Sequence, residues 1–390
     1  AAGTAVAGAL VGAGGTAAAL SAGTRPTVAT AAGDVDIDLN QAVPYFDQPH
    51  QAGISTTPQR HAVYATFTLA DAATKTDLQT LLARWTAAIG QLTQGKTIGQ
   101  VEPVRPDAVG GDTGEAYGLF PASLTVTVGL GPGVFTDRFG LASFRPKALA
   151  ELPRMPGDFL EPGLTGGDLS VQACADDPQV AYHAVHNLAR MAATVAQTHW
   201  MVLGFGRASA GPGQQTPRNL MGFKDGTRNV TGDAEFDRYV WTDDADWFAG
   251  GTYQIARKIR ITMETWDVDR ISDQQNVFGR TKDEGAPLGA KAEHDTPDFA
   301  ATDGDGKPVI SPYSHMAMAA PENNNGTKIL RRAYNYTDGL NSQGLLDAGL
   351  MFIAYMNDPQ HFVDLQSKLG KFDLLNEYIR HIGSAVFAIP

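Results

Sequence analysis

The first half of the chain alternates between strand-like and helix-like patterns of hydrophobic residues. Residues 61–69 (HAVYATFTL) are β-branched and aromatic, which is typical of a strand. Asp71 then offers an N-cap for a helix whose apolar residues recur at 78, 81, 82, 85 and 89. Further strands are predicted at 123–130, 169–173 and 200–205, and a further helix at 178–196. This order of strand, helix, strand, strand, helix, strand is that of a ferredoxin-like unit.

The second half of the chain repeats this theme after a stretch rich in Gly, Pro, Ser and Gln at 207–222, which marks a linker or long loop. Strands are predicted at 251–263, 345–356 and 383–389, a helix start at 265–270, an amphipathic segment at 359–369 and an extended loop at 281–314. The sequence therefore predicts an α+β protein of two ferredoxin-like domains with antiparallel sheets, over residues 34–210 and 211–390.

Composition and charge narrow the class of protein. The 390 residues include 43% hydrophobic residues, which is enough for a sizeable core, and the net charge is -12. An acidic chain argues against nucleic acid or an anionic membrane as the main partner, because both need a basic face. Cys174 is the single cysteine, so no intrachain disulfide and no thiolate metal site can form. A metal or cofactor would be held by His and carboxylate side chains.

The N-terminal stretch 1–33 resembles the apolar region of an export signal. Arg25 is its first charged residue, and the residues before it are almost entirely small and apolar. Ala and Gly give too little apolar area for a stable membrane span. We expect a secreted or extracytoplasmic protein with a twin-arginine-type leader whose arginines are missing from this chain. The alternative is a flexible leader without a targeting role.

Two short motifs carry candidate chemistry. In 222–229 (GFKDGTRN), glycines on both sides of Asp225 allow a tight turn and close approach to a ligand. An ordinary Asp-Gly surface turn would have the same sequence. In 311–316 (SPYSHM), His315 is a candidate metal ligand, although a lone histidine is more often structural.

Two later motifs change that balance. In 328–334 (KILRRAY), adjacent arginines follow an apolar pair, and an arginine drawn into a buried region needs an anionic partner. A surface pair with extended side chains is the alternative. Asp347 stands at the mouth of an apolar run and would be satisfied by the free ring nitrogen of a metal-bound histidine. An exposed Asp that caps the segment is equally compatible with the spacing.

Taken together, these motifs resemble the dye-decolourising peroxidase family, and in particular an exported actinobacterial member. The resemblance is carried by GFKDGT, SHMAMAAPE, ILRRAYNY and LDAGLMFIAY in this order, with QPHQAGI near the start, and it spans about residues 43 to 390. It implies two ferredoxin-like domains in a dimeric α+β barrel-like arrangement, with haem b held in the C-terminal domain.

The resemblance also assigns roles to individual residues. His315 would be the iron ligand, Asp225 the distal carboxylate and Arg331 the distal arginine. Asp347 would be the hydrogen-bond partner of His315. Residues expected against the haem are Gly226, Thr227, Arg228 and Asn229. The chain departs from the family at Ala320-Pro321-Glu322, where members often carry Asn-Pro-Arg, so Arg228 or Arg332 would have to replace the missing contact to a haem propionate.

The implied function is a haem b peroxidase that reduces hydrogen peroxide and oxidises dyes, phenols or another one-electron donor through a ferryl intermediate. A protein or a metal ion is also possible as donor. A carboxylate base works only when ionised, and we expect an acidic activity optimum, as the family tends to show. Electrons from bulky donors would pass through aromatic residues, for which the candidates are Tyr334, Tyr336, Trp241, Trp247 and Trp266. The alternative function is a haem-binding or haem-iron-handling protein with little peroxidase turnover.

Overall fold

The computed structural model describes residues 37–46, 48–206, 216–244 and 246–390. The predicted leader at 1–33 and residues 207–215 of the predicted linker lie outside the described residues. Among the helices that are described, none has both the length and the apolar character needed to span a bilayer.

Four strands and two α-helices of the first half follow the predicted order: β1 His61–Leu69, α1 Lys75–Leu92, β2 Thr125–Leu130, β3 Leu169–Ala175, α2 Pro178–Ala192 and β4 Ala196–Phe205. The prediction of Asp71 as the N-cap of α1 is wrong. Thr74 caps α1, because its side chain accepts from the Asp77 amide while Asp77 bonds back to the Thr74 backbone, forming a capping box. Strand β4 begins at Ala196, four residues earlier than predicted, because α2 ends at Ala192.

The described residues of the second half form five strands and five α-helices: α3 Asp233–Tyr239, β5 Thr252–Ile261, α4 Met263–Asp267, α5 Ile271–Phe278, α6 His315–Ala319, β6 Leu330–Arg331, β7 Tyr334–Leu340, β8 Leu346–Met356, α7 Pro359–Phe372 and β9 Ile379–Ile389. Short helices α3, α5 and α6 and strands β6 and β7 were not predicted. They span two to eight residues, which is too short for a hydrophobic period to stand out. The loop at 281–314 is confirmed as non-helical, with isolated bridges only.

The nine strands form one antiparallel sheet in the order β5-β9-β2-β3-β1-β4-β7-β8-β6. Strand β8 also pairs with β5, so eight of the strands close into a barrel and β6 extends from β8 outside the ring. The orders β2-β3-β1-β4 and β7-β8-β5-β9 correspond to each other, which explains the similar patterns of the two halves. The fold is thus an α+β protein built on an antiparallel β-barrel.

Polar side chains join the two halves inside the barrel. The Tyr64 hydroxyl donates to Gln254 Oε1 (3.0 Å), Gln254 Nε2 donates to the Tyr355 hydroxyl (2.8 Å), and that hydroxyl donates to Gln172 Oε1 (2.9 Å). All four residues are fully buried. Because a buried polar group needs a partner, this chain of bonds fixes how the strands of one half face those of the other.

Candidate active site

A cavity of about 260 Å³ lies against the outer face of the barrel in the second half. Alternate residues of a strand share a face, so Ile259 of β5 and Leu350 and Phe352 of β8 line the same wall. Helix α7 covers the opposite side. The cavity is lined, among others, by Asp225, Gly226, Thr227, Arg228, Arg280, His315, Ile329, Arg331, Phe362, Leu365, Leu369, Asp373 and His381. The residues that β5, β8 and α7 contribute to the wall are mostly apolar, and charged side chains gather at other parts of it.

His315 is the first residue of α6, which Ser314 caps. Its Nδ1 donates to Asp373 Oδ2 at 2.6 Å, and the carboxylate also accepts from the Leu375 amide. Burial lowers the pKa of His315, but the charge and hydrogen bond of Asp373 outweigh it, and the pKa is raised overall. Because Nδ1 is hydrogen-bonded to Asp373, Nε2 is the ring nitrogen that can bind a metal. The His315 side chain is 34% exposed and lines the cavity.

The predicted contact between Asp347 and His315 is not formed. Asp347 instead binds Arg260 through two hydrogen bonds, of 2.8 Å to Nε and 3.1 Å to Nη2. The reason is strand alternation, because Leu350 and Phe352 point to the cavity and Asp347 therefore points to the other face of β8. Asp373, which was not predicted, occupies the role that the sequence analysis gave to Asp347.

A second imidazole, His381 of β9, also lines the cavity. Burial, and next the charge of Arg257, lower its pKa to about 3. Metal-bound histidines usually donate their other ring nitrogen to a carboxylate or a carbonyl oxygen. His315 has such a partner in Asp373, whereas His381 Nε2 lies 3.2 Å from the side-chain amide nitrogen of Gln366. His315 is therefore the better candidate ligand.

The structure brings together Asp225 and Arg331, which the sequence analysis placed on the same side of the cofactor. Arg331 Nη1 lies 3.2 Å from Asp225 Oδ1, and its Nη2 donates to the Thr227 carbonyl at 3.2 Å. Gly226, which stands between Asp225 and Thr227 in the turn, has a φ of 135°, a value that residues with a Cβ rarely adopt. The carboxylate and the guanidinium thus meet at the cavity as one charged pair, held by a backbone turn that requires glycine.

Asn229 acts on Arg331 rather than on the cavity. Its Nδ2 donates to the Arg331 carbonyl (2.8 Å) and its Oδ1 accepts from the Arg331 amide (2.9 Å). These two hydrogen bonds fix the backbone of β6 at Arg331. Asn229 is not among the residues that line the cavity, so the predicted direct contact with a cofactor is not supported by this geometry.

Glu293, in the loop 281–314, anchors the Asp225 turn from behind and was not predicted. It accepts hydrogen bonds from Lys224 Nζ (2.7 Å), Thr216 Oγ1 (2.6 Å) and Thr227 Oγ1 (2.7 Å). Burial alone would raise the pKa of this carboxyl. The three donors outweigh burial and lower the pKa to about 2. A glutamate in a polar loop gives no sequence signal of such a role.

Arginines give one part of the cavity a positive charge. Arg228, with a φ of 60°, pairs with Glu322 at 2.5 Å, so the residue that departs from the family motif occupies this guanidinium. Arg280 is buried and bonds the carbonyls of Gly285 and Glu293. Burial lowers its pKa to about 10.

Arg332 is also buried, but it does not line the cavity, and its Nη2 donates to Gln59 Oε1 at 2.6 Å. Of the two predicted replacements, only Arg228 lines the cavity.

The aromatic residues proposed as electron routes differ in exposure. Tyr334, Tyr336 and Trp266 are fully buried, so they cannot contact a bulky donor in solution. Trp241 is half-buried and stacks on His50 with ring centroids 3.6 Å apart. Trp247 is partly exposed.

The cavity fits a haem. A porphyrin is a flat apolar ring with two acidic side chains and an iron that accepts an axial nitrogen. The apolar wall matches the ring, His315 Nε2 matches the iron, and the buried guanidinium of Arg280, which bonds two backbone carbonyls, matches an acidic group.

Family models for "Dyp-type peroxidase, N-terminal" and "Dyp-type peroxidase, C-terminal" match residues 51–206 and 216–390. The chain belongs to the Dyp-type peroxidase family. Members of this family are haem-binding oxidoreductases that act on hydrogen peroxide, so the predicted family, enzyme class and cofactor are confirmed.

Relatives and solved structures of the Dyp-type peroxidases support this assignment. The dye-decolorizing peroxidase of Thermobifida fusca is 42% identical, over 70% of this chain and 66% of that protein. The deferrochelatase of Escherichia coli (strain K12) is 36% identical, over 90% of this chain and 84% of that protein. Ferric DtpA from Streptomyces lividans is 37% identical with a TM-score of 0.83, covering 90% of this chain and 94% of that chain.

Proposed function

We propose that this Dyp-type peroxidase reduces hydrogen peroxide at a haem b held by His315 and takes the electrons from small aromatic or other one-electron donors. The observation that carries the proposal is the arrangement around one apolar cavity of an imidazole backed by a carboxylate and of a carboxylate paired with a guanidinium. The haem supplies the redox chemistry when it is bound.

The residues of the chain then divide the remaining work. With haem bound to supply two electrons, Asp225 would accept a proton from one oxygen of hydrogen peroxide and deliver it to the other oxygen, which would leave as water when the O–O bond breaks. Arg331 stabilises the negative charge that develops on the leaving oxygen. Asp373 orients His315 and makes its imidazole a stronger electron donor to a metal. Glu293 and Asn229 hold the turn and the strand that carry Asp225 and Arg331.

The finer points of architecture and location belong to the same proposal. We propose that the barrel consists of two ferredoxin-like domains, one before and one after the linker, supported by the corresponding strand orders β2-β3-β1-β4 and β7-β8-β5-β9. Export of the protein is proposed from the sequence of residues 1–33 alone.

The test is a peroxide titration of the haem-loaded protein, followed by absorbance at the haem band. We expect one equivalent to change the spectrum, and Arg331→Ala to slow that change by about 10²–10³-fold, the cost of removing one charge-stabilising donor. Asp225→Asn should slow it less, because a fixed cation acts at every pH. Arg105→Ala, an exposed arginine of the first half, is the matched control. A normal rate in Arg331→Ala would refute the role of the arginine.

Removal of iron from haem is the second candidate function, because relatives of 36% identity are named deferrochelatases. Haem-loaded protein incubated with an iron chelator would then accumulate fluorescent metal-free porphyrin. Fast peroxide chemistry without such fluorescence would favour the peroxidase.

A further inference from the structure

The second arginine of the ILRR motif is buried on the side of β6 that faces away from the cavity. Arg332 is 2% exposed and does not line the cavity, whereas its neighbour Arg331 does. Arg331 lies directly opposite Ala354 of β8, and Leu330 lies opposite Tyr355, whose hydroxyl belongs to the buried bonds inside the barrel. Because alternate residues of a strand share a face, Arg332 lies on the same face as Leu330 and points into the barrel.

The guanidinium of Arg332 is held by the segment before β1, residues 51–59, which we call the N-terminal arm. Its Nη1 donates to the Thr56 carbonyl, and its Nη2 donates to Gln59 Oε1 at 2.6 Å. A planar guanidinium that bonds two acceptors at once is fixed in orientation as well as in position. A segment of the first half thus holds the residue next to the candidate distal arginine.

The N-terminal arm is itself bonded to the first half. Gln59 is 3% exposed, and its Nε2 donates to the Ser123 carbonyl (2.6 Å) and to Thr125 Oγ1 (3.1 Å). The Ala52 carbonyl accepts from Thr127 Oγ1 at 2.7 Å. These bonds attach the arm to β2 and the residues before it, so the arm is a fixed support for Arg332.

The charge of Arg332 does not explain its place in the barrel. Among the described residues no carboxylate contacts it, and its two acceptors are neutral oxygens. A buried cation without an anionic partner is costly, so a neutral side chain would be favoured on grounds of charge. What arginine adds is a rigid fork of donors that reaches two acceptors from one backbone position.

The backbone of β6 connects this contact to the cavity. Asn229 bonds the Arg331 amide and carbonyl, and the Arg332 amide donates to the Ile353 carbonyl at 2.8 Å. The Cα atoms of the two arginines are about 3.8 Å apart, so a displacement of Arg332 moves Arg331. Arg331 meets Asp225 at 3.2 Å, and a misplacement of about 1 Å at a reacting group costs roughly 100-fold in rate.

We propose that Arg332 is a positioning residue, which the N-terminal arm holds so that β6 presents Arg331 to Asp225. The proposal rests on the proposed role of Arg331 in the reaction with hydrogen peroxide. None of the described residues of the first half lines the cavity. The first half therefore acts on the chemistry through the contact of its arm with Arg332.

The test is a double-mutant cycle in the haem-loaded enzyme, measured as the rate of the spectral change that hydrogen peroxide causes. Arg332→Gln should slow this change about tenfold or more. It should cause no further loss in the Arg331→Ala background, because the group that it positions is absent there. An equal loss in both backgrounds, or no loss in either, would overturn the proposal.

Arg332→Lys separates the fork of donors from the charge. Lysine keeps the positive charge but donates from a single point, so this variant should be slowed about as much as Arg332→Gln. A full rate in Arg332→Lys would show that the contact with two acceptors is not needed, which would contradict the proposal.

Hydrogen exchange of the haem-loaded protein without peroxide gives a readout that does not depend on turnover. The backbone amides of Arg331 and Arg332 should exchange about tenfold faster in Arg332→Gln and in Gln59→Leu, because β6 loses its support. Tyr64→Phe is the matched control, since it removes a different buried bond inside the barrel and should leave this exchange and the peroxide rate unchanged. Unaltered exchange in both Arg332→Gln and Gln59→Leu would refute the positioning role.

The two proposals fail in different ways. If Arg331→Ala is slow while Arg332→Gln reacts at the full rate, the positioning role is refuted and the peroxidase function stands. If Arg331→Ala itself reacts at the normal rate, the role proposed for Arg331 is refuted, and the role of Arg332 with it.

Discussion

The outer faces of the two halves of the barrel are covered in different ways. In the first half, α1 and α2 pack directly on the strands, and the buried ring of Trp85 stacks edge-on to Phe67 while its Nε1 donates to the Leu188 carbonyl (2.9 Å). In the second half, α7 also crosses the sheet, but α6 has only five residues and a long loop replaces the helix surface beside it. Corresponding strand orders thus support a filled layer on one side and a cavity on the other. Helix length, rather than strand topology, decides where the cofactor can lie.

Among the changes that test this contrast, we expect His315→Ala to have the largest effect. The residue lies outside the barrel, so the change should leave the strands folded, as circular dichroism would show. Haem added to this variant should not give the spectrum of an imidazole-ligated iron, because the ring that Asp373 orients toward the iron is absent. An unaltered haem spectrum would show that another side chain binds the iron, with His381 as the first candidate.

Truncation of core side chains should separate the filled half from the hollow one. Trp85→Ala should lower the free energy of unfolding by about 3–5 kcal/mol, because it leaves a void in a packed layer. Leu365→Ala, at the wall of the existing cavity, should cost about 2 kcal/mol, at the low end for such a change. Urea unfolding of the haem-free protein measures both, and equal costs would contradict the contrast.

Glu293→Gln tests the anchor of the Asp225 turn by its pH dependence. The folded pKa of Glu293, about 2, is below the unfolded value, so its ionised form stabilises the protein above about pH 5 and this stabilisation is lost as pH falls toward 2. The unchanged protein should exceed the variant in free energy of unfolding by up to roughly 3 kcal/mol at neutral pH. The difference should shrink on acidification, and a difference independent of pH would contradict the assignment.

The smallest expected effects distinguish the two aspartates considered as partners of His315. Asp373→Asn should weaken haem binding about 10–100-fold, as loss of a carboxylate behind a ligating histidine does. Asp347→Asn removes only a partly exposed contact with Arg260 and should change stability by less than about 1 kcal/mol, with haem binding unaffected. Competition with a haem-binding acceptor protein measures both, and the reverse order of effects would reinstate Asp347.

Much of the fold follows from local pattern, whereas the site depends on contacts that local pattern does not encode. Long strands such as β1 and β8 were predicted to within a few residues, because β1 is rich in β-branched and aromatic residues and β8 is a long apolar run. His315, Asp225 and Arg331 line one cavity, and local motifs marked all three in the sequence. Asp373 was missed because 58 residues separate it from His315. The error at Asp347 has a physical reason too, since both faces of β8 are buried and apolar and alternation could not show which face meets the cavity.

The barrel closes through two narrow seams. Strand β4 meets β7 at two residue pairs, and β2 meets β9 at one, whereas β5 and β9 share ten. Each half alone would expose two strand edges that invite association with other chains. The buried bonds from Tyr64 and Gln172 to Gln254 and Tyr355, inside the barrel, give the two halves matching inner faces. We therefore expect the halves, produced as separate polypeptides cut within the linker, to reassemble with one another, which makes this barrel a candidate for split-enzyme complementation.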